Sequence, residues 1–334
     1  MKEKKFPLVS VFVAVRDEEE NIIACLSTLL AQNYPQECFE VLIGNDQSKD
    51  NTVQLVESFI QHRPNFKLIH INDYKGEARG KANVLAHLAE VATGDYFLVT
   101  DADMLLPINW IEGMINFAKK RVGIVTGYTM PKSDSAFSAL QAIDWLNAQA
   151  QIYLMAQFNI PVTSLGNNML ISKEAYWETG GYEKIPFSIT EDFELFQQVV
   201  DKGWKFSQPF YKVPVGITKA VKSLPLLLKQ RKRWMHGAMQ IKWYLKWALV
   251  LDALFLPFVL LMLFFSPKGA FLLFVFRFLL VTVLTSLLII QTAQKPLLKY
   301  VLLFDVYHQA LSFLLISSYA FSREVEWKGR SYKV

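Results

Sequence analysis

The chain has 334 residues, 52% of them hydrophobic and 14% aromatic, enough for one large globular domain plus membrane segments. Its two cysteines, without metal-ligand spacing, exclude a disulfide framework and fit a reducing compartment. The formal charge of +5 hides a split, since residues 1–201 hold 16 Lys/Arg against 26 Asp/Glu and the remainder 19 against 4.

No acidic residue lies between Asp201 and Asp252. This basic belt leads into apolar segments, which predicts a surface facing anionic headgroups on the cytoplasmic side of a membrane. A solvated basic face is the plainer alternative. Nucleic acid is disfavoured as a partner, because the belt opens no groove-reading module. Met1–Pro7 is charged with no apolar run ending in a cleavage site behind it, so no signal peptide is expected. The apolar stretch Val9–Val15 is too short to span a bilayer.

In chain order, Val9–Val15 is a continuous β-branched run and predicts a buried strand. Asp17–Asn33 carries Ile22, Ile23, Leu26, Leu29 and Leu30 at helical spacing, with acids crowding the first turn, and Tyr34-Pro35 ends it. Phe39–Gly44 predicts a second strand, followed by a helix that Asp50 or Asn51 can cap. Lys67–Ile71 is a third strand, Lys81–Val91 a helix and Tyr96–Thr100 a fourth strand. The alternation predicts an α/β fold, a mostly parallel Rossmann-like sheet with helices on both faces. Ligands of such sheets collect at the carboxyl ends of strands, where Asp46 and Asp101 fall.

Four short motifs carry chemistry, in a fixed order. Asn45-Asp46 ends the second strand. Asp101-Ala102-Asp103 ends the fourth. If the chain stays extended there, the two carboxylates point the same way and suit a hard divalent cation, Mg²⁺ or Mn²⁺. Such a cation would neutralise a departing diphosphate. Thr190-Glu191-Asp192 opens a helix expected over Phe193–Lys202, and Thr-Glu-Asp is also a good helix start in its own right. Gln230-Arg231-Lys232-Arg233-Trp234 offers guanidinium forks for phosphate and a ring for stacking; a basic interfacial helix is compatible with the same residues. Between the first two motifs, Lys81 sits at a helix start suited to phosphate, with Arg79 and Asn83 close in sequence.

Those four motifs, in that order from about Val9 to Trp234, resemble the membrane-bound family-2 glycosyltransferases. That group includes cellulose, chitin and hyaluronan synthases and ceramide glucosyltransferase. The resemblance implies a GT-A fold followed by C-terminal transmembrane helices. It implies a nucleotide site of Asp46, Lys81 and Asp101, with Asp46 accepting the N3–H of uracil. Relatives usually carry a second aspartate where this chain has Asn45. It further implies a metal site of Asp103 with Asp101, and Asp192 as the catalytic base. Gln230, Arg231, Arg233, Trp234 and Glu191 would serve the diphosphate and the acceptor. The Gly166–Met169 loop falls where relatives have an acceptor-end loop; a plain Gly-Asn turn stands as an equal reading.

Trp243–Phe265 and Gly269–Gln291 each have about the 20 apolar residues a spanning helix needs. Leu297–Phe321 is a third run, carrying Asp305, His308 and Gln309; Asp252 lies in the first. Ionisable groups at membrane depth face protein or mark function. The expected division is a catalytic domain over 1–222, an interfacial amphipathic segment over 223–242, membrane helices over 243–322 and a basic tail over 323–334. The expected location is an integral membrane protein, in a bacterial inner membrane, with the catalytic domain cytoplasmic. The tail Trp327–Arg330 is similar to the ends of hyaluronan synthases and ceramide glucosyltransferase, which leaves the third run as a full span or a re-entrant segment.

The expected activity is inverting, metal-dependent transfer of a sugar from a UDP-sugar to a hydroxyl of a membrane-associated, lipid-like acceptor. With about three apolar runs, the chain suits single transfer better than polymer export. A processive polysaccharide synthase subunit, a catalytically silent scaffold of the same fold and a nucleotidyltransferase stand as alternatives.

Overall fold

The computed structural model describes residues 6–321, 324–327 and 330–333, with side chains through residue 319. Strands β1 (Val9–Val15), β2 (Phe39–Asn45), β3 (Phe66–His70) and β4 (Tyr96–Asp101) alternate with helices α1 (Ile22–Leu30), α2 (Thr52–Ile60) and α3 (Lys81–Val91). Next come α4 (Trp110–Ile115), β5 (Val122–Thr126), β6 (Tyr128–Pro131) and the long helix α5 (Ala136–Gln157). After β7 (Asn168–Ser172) follow α6 (Lys173–Glu178), α7 (Gly181–Lys184), α8 (Glu191–Asp201), β8 (Lys205–Ser207) and β9 (Val215–Thr218).

Seven strands form one sheet in the order β3-β2-β1-β4-β7-β5-β8, and β6 pairs with β9 in a small second sheet. The pairs β1/β2, β1/β4, β2/β3 and β5/β8 are parallel, whereas β7 runs antiparallel to β4 and β5. Every residue of β2 is buried, as expected for a strand covered on both faces. Phe12, Leu42, Phe97, Leu85 and Leu88 meet in the core under α3. Gly44 lets α3 approach: a Cβ there would fall 2.3 Å from a Val84 methyl. This is the mostly parallel α/β architecture expected from the alternation of runs.

The first helix starts five residues later than its periodicity predicts, at Ile22 rather than Asp17. The acids expected in its first turn instead satisfy backbone amides of the neighbouring loop. Asp17 Oδ1 accepts from Lys49 N at 2.7 Å, and Glu19 Oε2 accepts from Asn51 N at 3.0 Å. Ser48, Asp50 and Thr52 side chains accept from the amides of Asp17, Glu19 and Glu18. This lattice holds the loops after β1 and β2 together and keeps Asp17 (φ 53°) and Gln47 (φ 56°) in the left-handed region. Asp50 also accepts from Thr52 N at 3.0 Å and so caps α2, as expected.

The chain divides into two compact units, Met1–Met130 with Ile152–Lys219, and Pro131–Gln151 with Ala220–Val334. The first part of α5 therefore belongs with the C-terminal helices.

In the second unit, α9 (Leu224–Ala238) precedes α10 (Trp243–Met262) and α11 (Pro267–Gln291). A 3₁₀ segment over Lys295–Tyr300 leads into α12 (Val301–Phe321), and β10 (Glu324–Trp327) and β11 (Arg330–Lys333) form an antiparallel hairpin. The side chains of the expected basic tail lie outside the described residues. Three helical stretches, Trp243–Met262, Pro267–Gln291 and Lys295–Tyr319, are long and apolar enough to cross a membrane, with mean hydropathy 2.0, 2.6 and 1.4. Phe271 and Phe276 on the second of them, and Phe264 and Phe265 in the turn before it, are exposed, which suits lipid better than water. α11 begins at Pro267, ahead of the expected Gly269, because Pro fits a first helical turn and Ser266 Oγ accepts from Gly269 N. His308 pairs with Asp252 of α10, while Tyr319 packs against His236 of α9 with ring centroids 5.2 Å apart.

Candidate active site

The first unit gathers its acidic motifs around Lys81. Lys81 opens α3, and its Nζ lies 2.5 Å from Asp101 Oδ1 at the end of β4. The same ammonium reaches Glu191 Oε1 at 3.5 Å and donates to the carbonyl of Gly166 at 2.9 Å. Burial alone would lower its pKa, but the charges of Asp101 and Glu191 outweigh burial and hold it firmly cationic.

Gly166 ties this group to the third motif. Its amide donates to Asp192 Oδ2 at 2.6 Å, while Asp192 Oδ1 accepts from Phe193 N at 2.9 Å. Thr190 is the N-cap residue of α8, so Glu191 and Asp192 occupy its first turn, where the helix dipole favours negative charge. A Cβ on Gly166 would come within 3.0 Å of Asp192, so the glycine sets how closely the loop approaches the carboxylate. The neighbouring Asn168 is wholly buried: it accepts from Trp110 Nε1 at 2.9 Å and donates to the Tyr128 carbonyl at 3.0 Å, pinning the loop's far end.

The second motif differs from its expected shape. β4 stops at Asp101, and Ala102 and Asp103 form a turn closed by Met104 N donating to Asp101 O at 3.2 Å. Strand alternation therefore does not set the direction of Asp103. Its carboxylate accepts from Thr218 Oγ1 of β9 at 3.0 Å. Burial, then the negative charge of Asp101, pushes its pKa up to about 6, against the Thr218 hydrogen bond. A carboxyl held up by burial beside a second anion fits a divalent cation, which would relieve both penalties. Among the described residues no three His, Cys, Asp or Glu side chains form a complete cage. Two carboxylates with substrate phosphates are how Mg²⁺ is commonly held.

Asp46 follows β2 and pairs with Arg16, which follows β1; Arg16 Nη1 lies 3.2 Å from Asp46 Oδ2. Asn45 has a turn role, accepting from Ser48 N at 3.1 Å and meeting His70 at 3.3 Å. Arg16 was not singled out from the sequence, although an arginine ending a strand beside the Asp46 strand is a readable signal.

Gln230–Trp234 lies on α9, in the second unit. There Arg231 Nη2 stands 2.6 Å from Asp144 Oδ2 of α5, and the guanidinium lies 4.5 Å from the centroid of the Trp234 ring. Trp145 packs edge-on to Trp234 at 5.1 Å. Asp305 is 1% exposed and pairs with Arg277. Asp144 and Arg277 were also missed; an arginine inside an apolar run was the signal for the latter.

The whole chain, residues 1–334, matches the profile of glycosyl transferase family 21. The chain belongs to that glycosyltransferase family. The expectation drawn from the four motifs holds in that form. A beta-monoglucosyldiacylglycerol synthase of Trichormus variabilis is 26% identical over 246 residues, 70% of this chain and 49% of that protein. A poly-beta-1,6-N-acetyl-D-glucosamine synthase of Staphylococcus epidermidis is 25% identical over 241 residues, 70% of this chain and 55% of its own length. The chain spans about half the length of these curated relatives. Among solved structures, a mannosyltransferase from Pyrobaculum calidifontis, in complex with GDP-Man and Mn²⁺, superposes with TM-score 0.60 at 18% identity. The match covers 92% of this chain and 89% of that one. That likeness bears on the fold, which is of the GT-A type.

Proposed function

We propose that this protein transfers one sugar from a nucleotide sugar to a hydroxyl of a lipid-like acceptor in a membrane, with inversion. The observation that carries the reading is the single constellation of Lys81, Asp101, Glu191, Gly166 and Asp192 at the carboxyl end of β4.

Asp192 is the base. Its Oδ2 is oriented by the Gly166 amide, and displacement at an anomeric carbon needs one carboxylate to take the acceptor's proton opposite the leaving group. Asp103 and Asp101 would hold Mg²⁺ or Mn²⁺, which supplies charge neutralisation to the departing diphosphate. The manganese in the mannosyltransferase structure supports this by analogy of fold. Lys81 keeps Asp101 and Glu191 apart from one another's charge and fixes the loop that holds Asp192.

Asp46, oriented by Arg16, would accept the N3–H of uracil. A guanine edge also offers donors to a carboxylate, so both UDP- and GDP-sugars belong in the test. Gln230, Arg233 and Trp234 are assigned to the diphosphate and acceptor by their motif. The lipid acceptor is supported by the three membrane-length helices and by the glucosyldiacylglycerol synthase among the relatives. The glucosamine-polymer synthase among them keeps processive synthesis as the second reading. The basic run over 202–246 supports a cytoplasmic catalytic domain over residues 1–222, followed by an interfacial segment and membrane helices in a bacterial inner membrane.

The test is incubation of the purified protein with a panel of UDP- and GDP-sugars and membrane lipids, reading products by mass. A lipid heavier by one sugar supports the reading; a ladder of sugars supports the processive one. Trp234→Ala should weaken transfer to lipid and leave slow donor hydrolysis intact.

A further inference from the structure

Six charged side chains in the second unit form one continuous line of alternating sign. Arg231 (α9) pairs with Asp144 (α5) at 2.6 Å. Asp144 meets His308 Nδ1 (α12) at 3.3 Å, and His308 Nε2 meets Asp252 (α10) at 2.9 Å. Asp252 pairs with Arg277 (α11) at 2.9 Å, and Arg277 Nε reaches Asp305 (α12) at 3.2 Å. Both ring nitrogens of His308 face carboxylates, an arrangement that the doubly protonated ring satisfies when both carboxylates are ionised. Three carboxylates then balance three cations. Gln309, 2% exposed, closes the line by accepting from Arg277 and donating to the Asp252 carbonyl in its satisfied amide orientation.

Structure alone gives no reason for so long a line. A buried ion pair is a poor source of stability compared with apolar packing, and ionisable groups among spanning helices are costly. One end of the line is Arg231, inside the Gln230–Trp234 motif. Its guanidinium covers the Trp234 ring at 4.5 Å, and Trp145, adjacent to Asp144, braces the ring's other contact at 5.1 Å. Asp144 therefore holds both supports of Trp234, one through its charge and one through the chain.

We propose that the line Arg231–Asp144–His308–Asp252–Arg277–Asp305 is a positioning device that couples the three membrane helices to Trp234 and so sets acceptor affinity. Asp144 and His308 are positioning residues, and Arg231 acts through Trp234 rather than on the diphosphate. The proposal rests on the acceptor role given to Trp234 above.

The experiment compares full-length wild type, Asp144→Asn, Asp144→Glu and His308→Gln in nanodiscs. It reads acceptor KM, donor affinity by nucleotide titration, and hydrogen exchange of α9 amides. Asp144→Asn should raise acceptor KM on the order of tenfold or more, since small misplacements at a site are costly. Donor affinity should not change, α9 should exchange faster while α1–α3 exchange as before, and Asp144→Glu should restore most of the KM. An unchanged acceptor KM with unchanged α9 exchange, or a loss confined to donor affinity, overturns the proposal. If wild type transfers to no lipid but Asp144→Asn still loosens α9, the acceptor reading fails and the positioning device stands. If Asp144→Asn does not fold, His308→Gln must show the same KM and exchange pattern; global loosening with no KM-specific effect overturns it.

Discussion

The amide of Gly166 donates to Asp192 Oδ2 at 2.6 Å, and the carbonyl of the same glycine accepts from Lys81 at 2.9 Å. One residue thus joins the proposed base to the cation that Asp101 and Glu191 share. Gly166→Ala should displace the Asp192 carboxylate, because the new Cβ would stand 3.0 Å from it. The expected result is a fall in kcat on the order of 10–100-fold with donor affinity kept, read by steady-state kinetics and nucleotide titration.

Lys81→Met should leave Asp101 and Glu191 without their shared counter-charge. Breaking a buried pair costs about 3–5 kcal/mol, and the 40% exposure of Asp101 brings the expected loss to about 1–3 kcal/mol. Thermal unfolding of the variant checks this, and a divalent cation should recover part of the loss.

Proton and cation should compete at Asp103. Its carboxyl titrates near pH 6 in the folded chain, above the ordinary value, so the folded state binds the extra proton between about pH 4 and 6. In chelator the folded state should lose stability as pH rises through that window. Mn²⁺ should raise the melting temperature more at pH 7 than at pH 5. Asp103→Ala should remove the pH dependence of that stabilisation and abolish transfer without unfolding the protein. Full turnover in excess chelator would contradict the metal assignment.

The end of α12 should lie on the same side of the membrane as the end of α9, since Tyr319 meets His236. Ser318→Cys and Lys242→Cys, each in a background lacking Cys25 and Cys38, should react with a membrane-impermeant maleimide from one side only, and from the same side. Labelling from opposite sides would require three full crossings in sequence.

The sheet, and the places where the candidate site residues fall, were legible in the sequence where local pattern marks the ends of elements. The buried runs at β1, β2 and β4 have no polar face, and Asp46, Asp101 and Asp192 fall at strand or helix ends, where ligands collect. The helix α1 was over-extended because its acids look like a first turn but serve the amides of the loop after β2, thirty residues away. The turn at Asp103 was missed because Asp-x-Asp reads the same in a strand and in a turn. The role of Gly166 and the ion line from Arg231 to Asp305 depend on contacts between helices remote in sequence, such as Asp144 with His308. Periodicity carries no information about those.

The most direct measurement sets wild type beside Asp192→Asn, with a nucleotide-sugar panel, a membrane-lipid panel and Mn²⁺. Nucleotide binding is read by titration, and product mass and anomeric configuration by spectrometry and NMR. The account predicts that both proteins bind the donor nucleotide alike. Only wild type should yield a lipid carrying one sugar of inverted configuration, with the variant slower by about 10²–10⁴-fold. Equal transfer by Asp192→Asn, or a product of retained configuration, would contradict it.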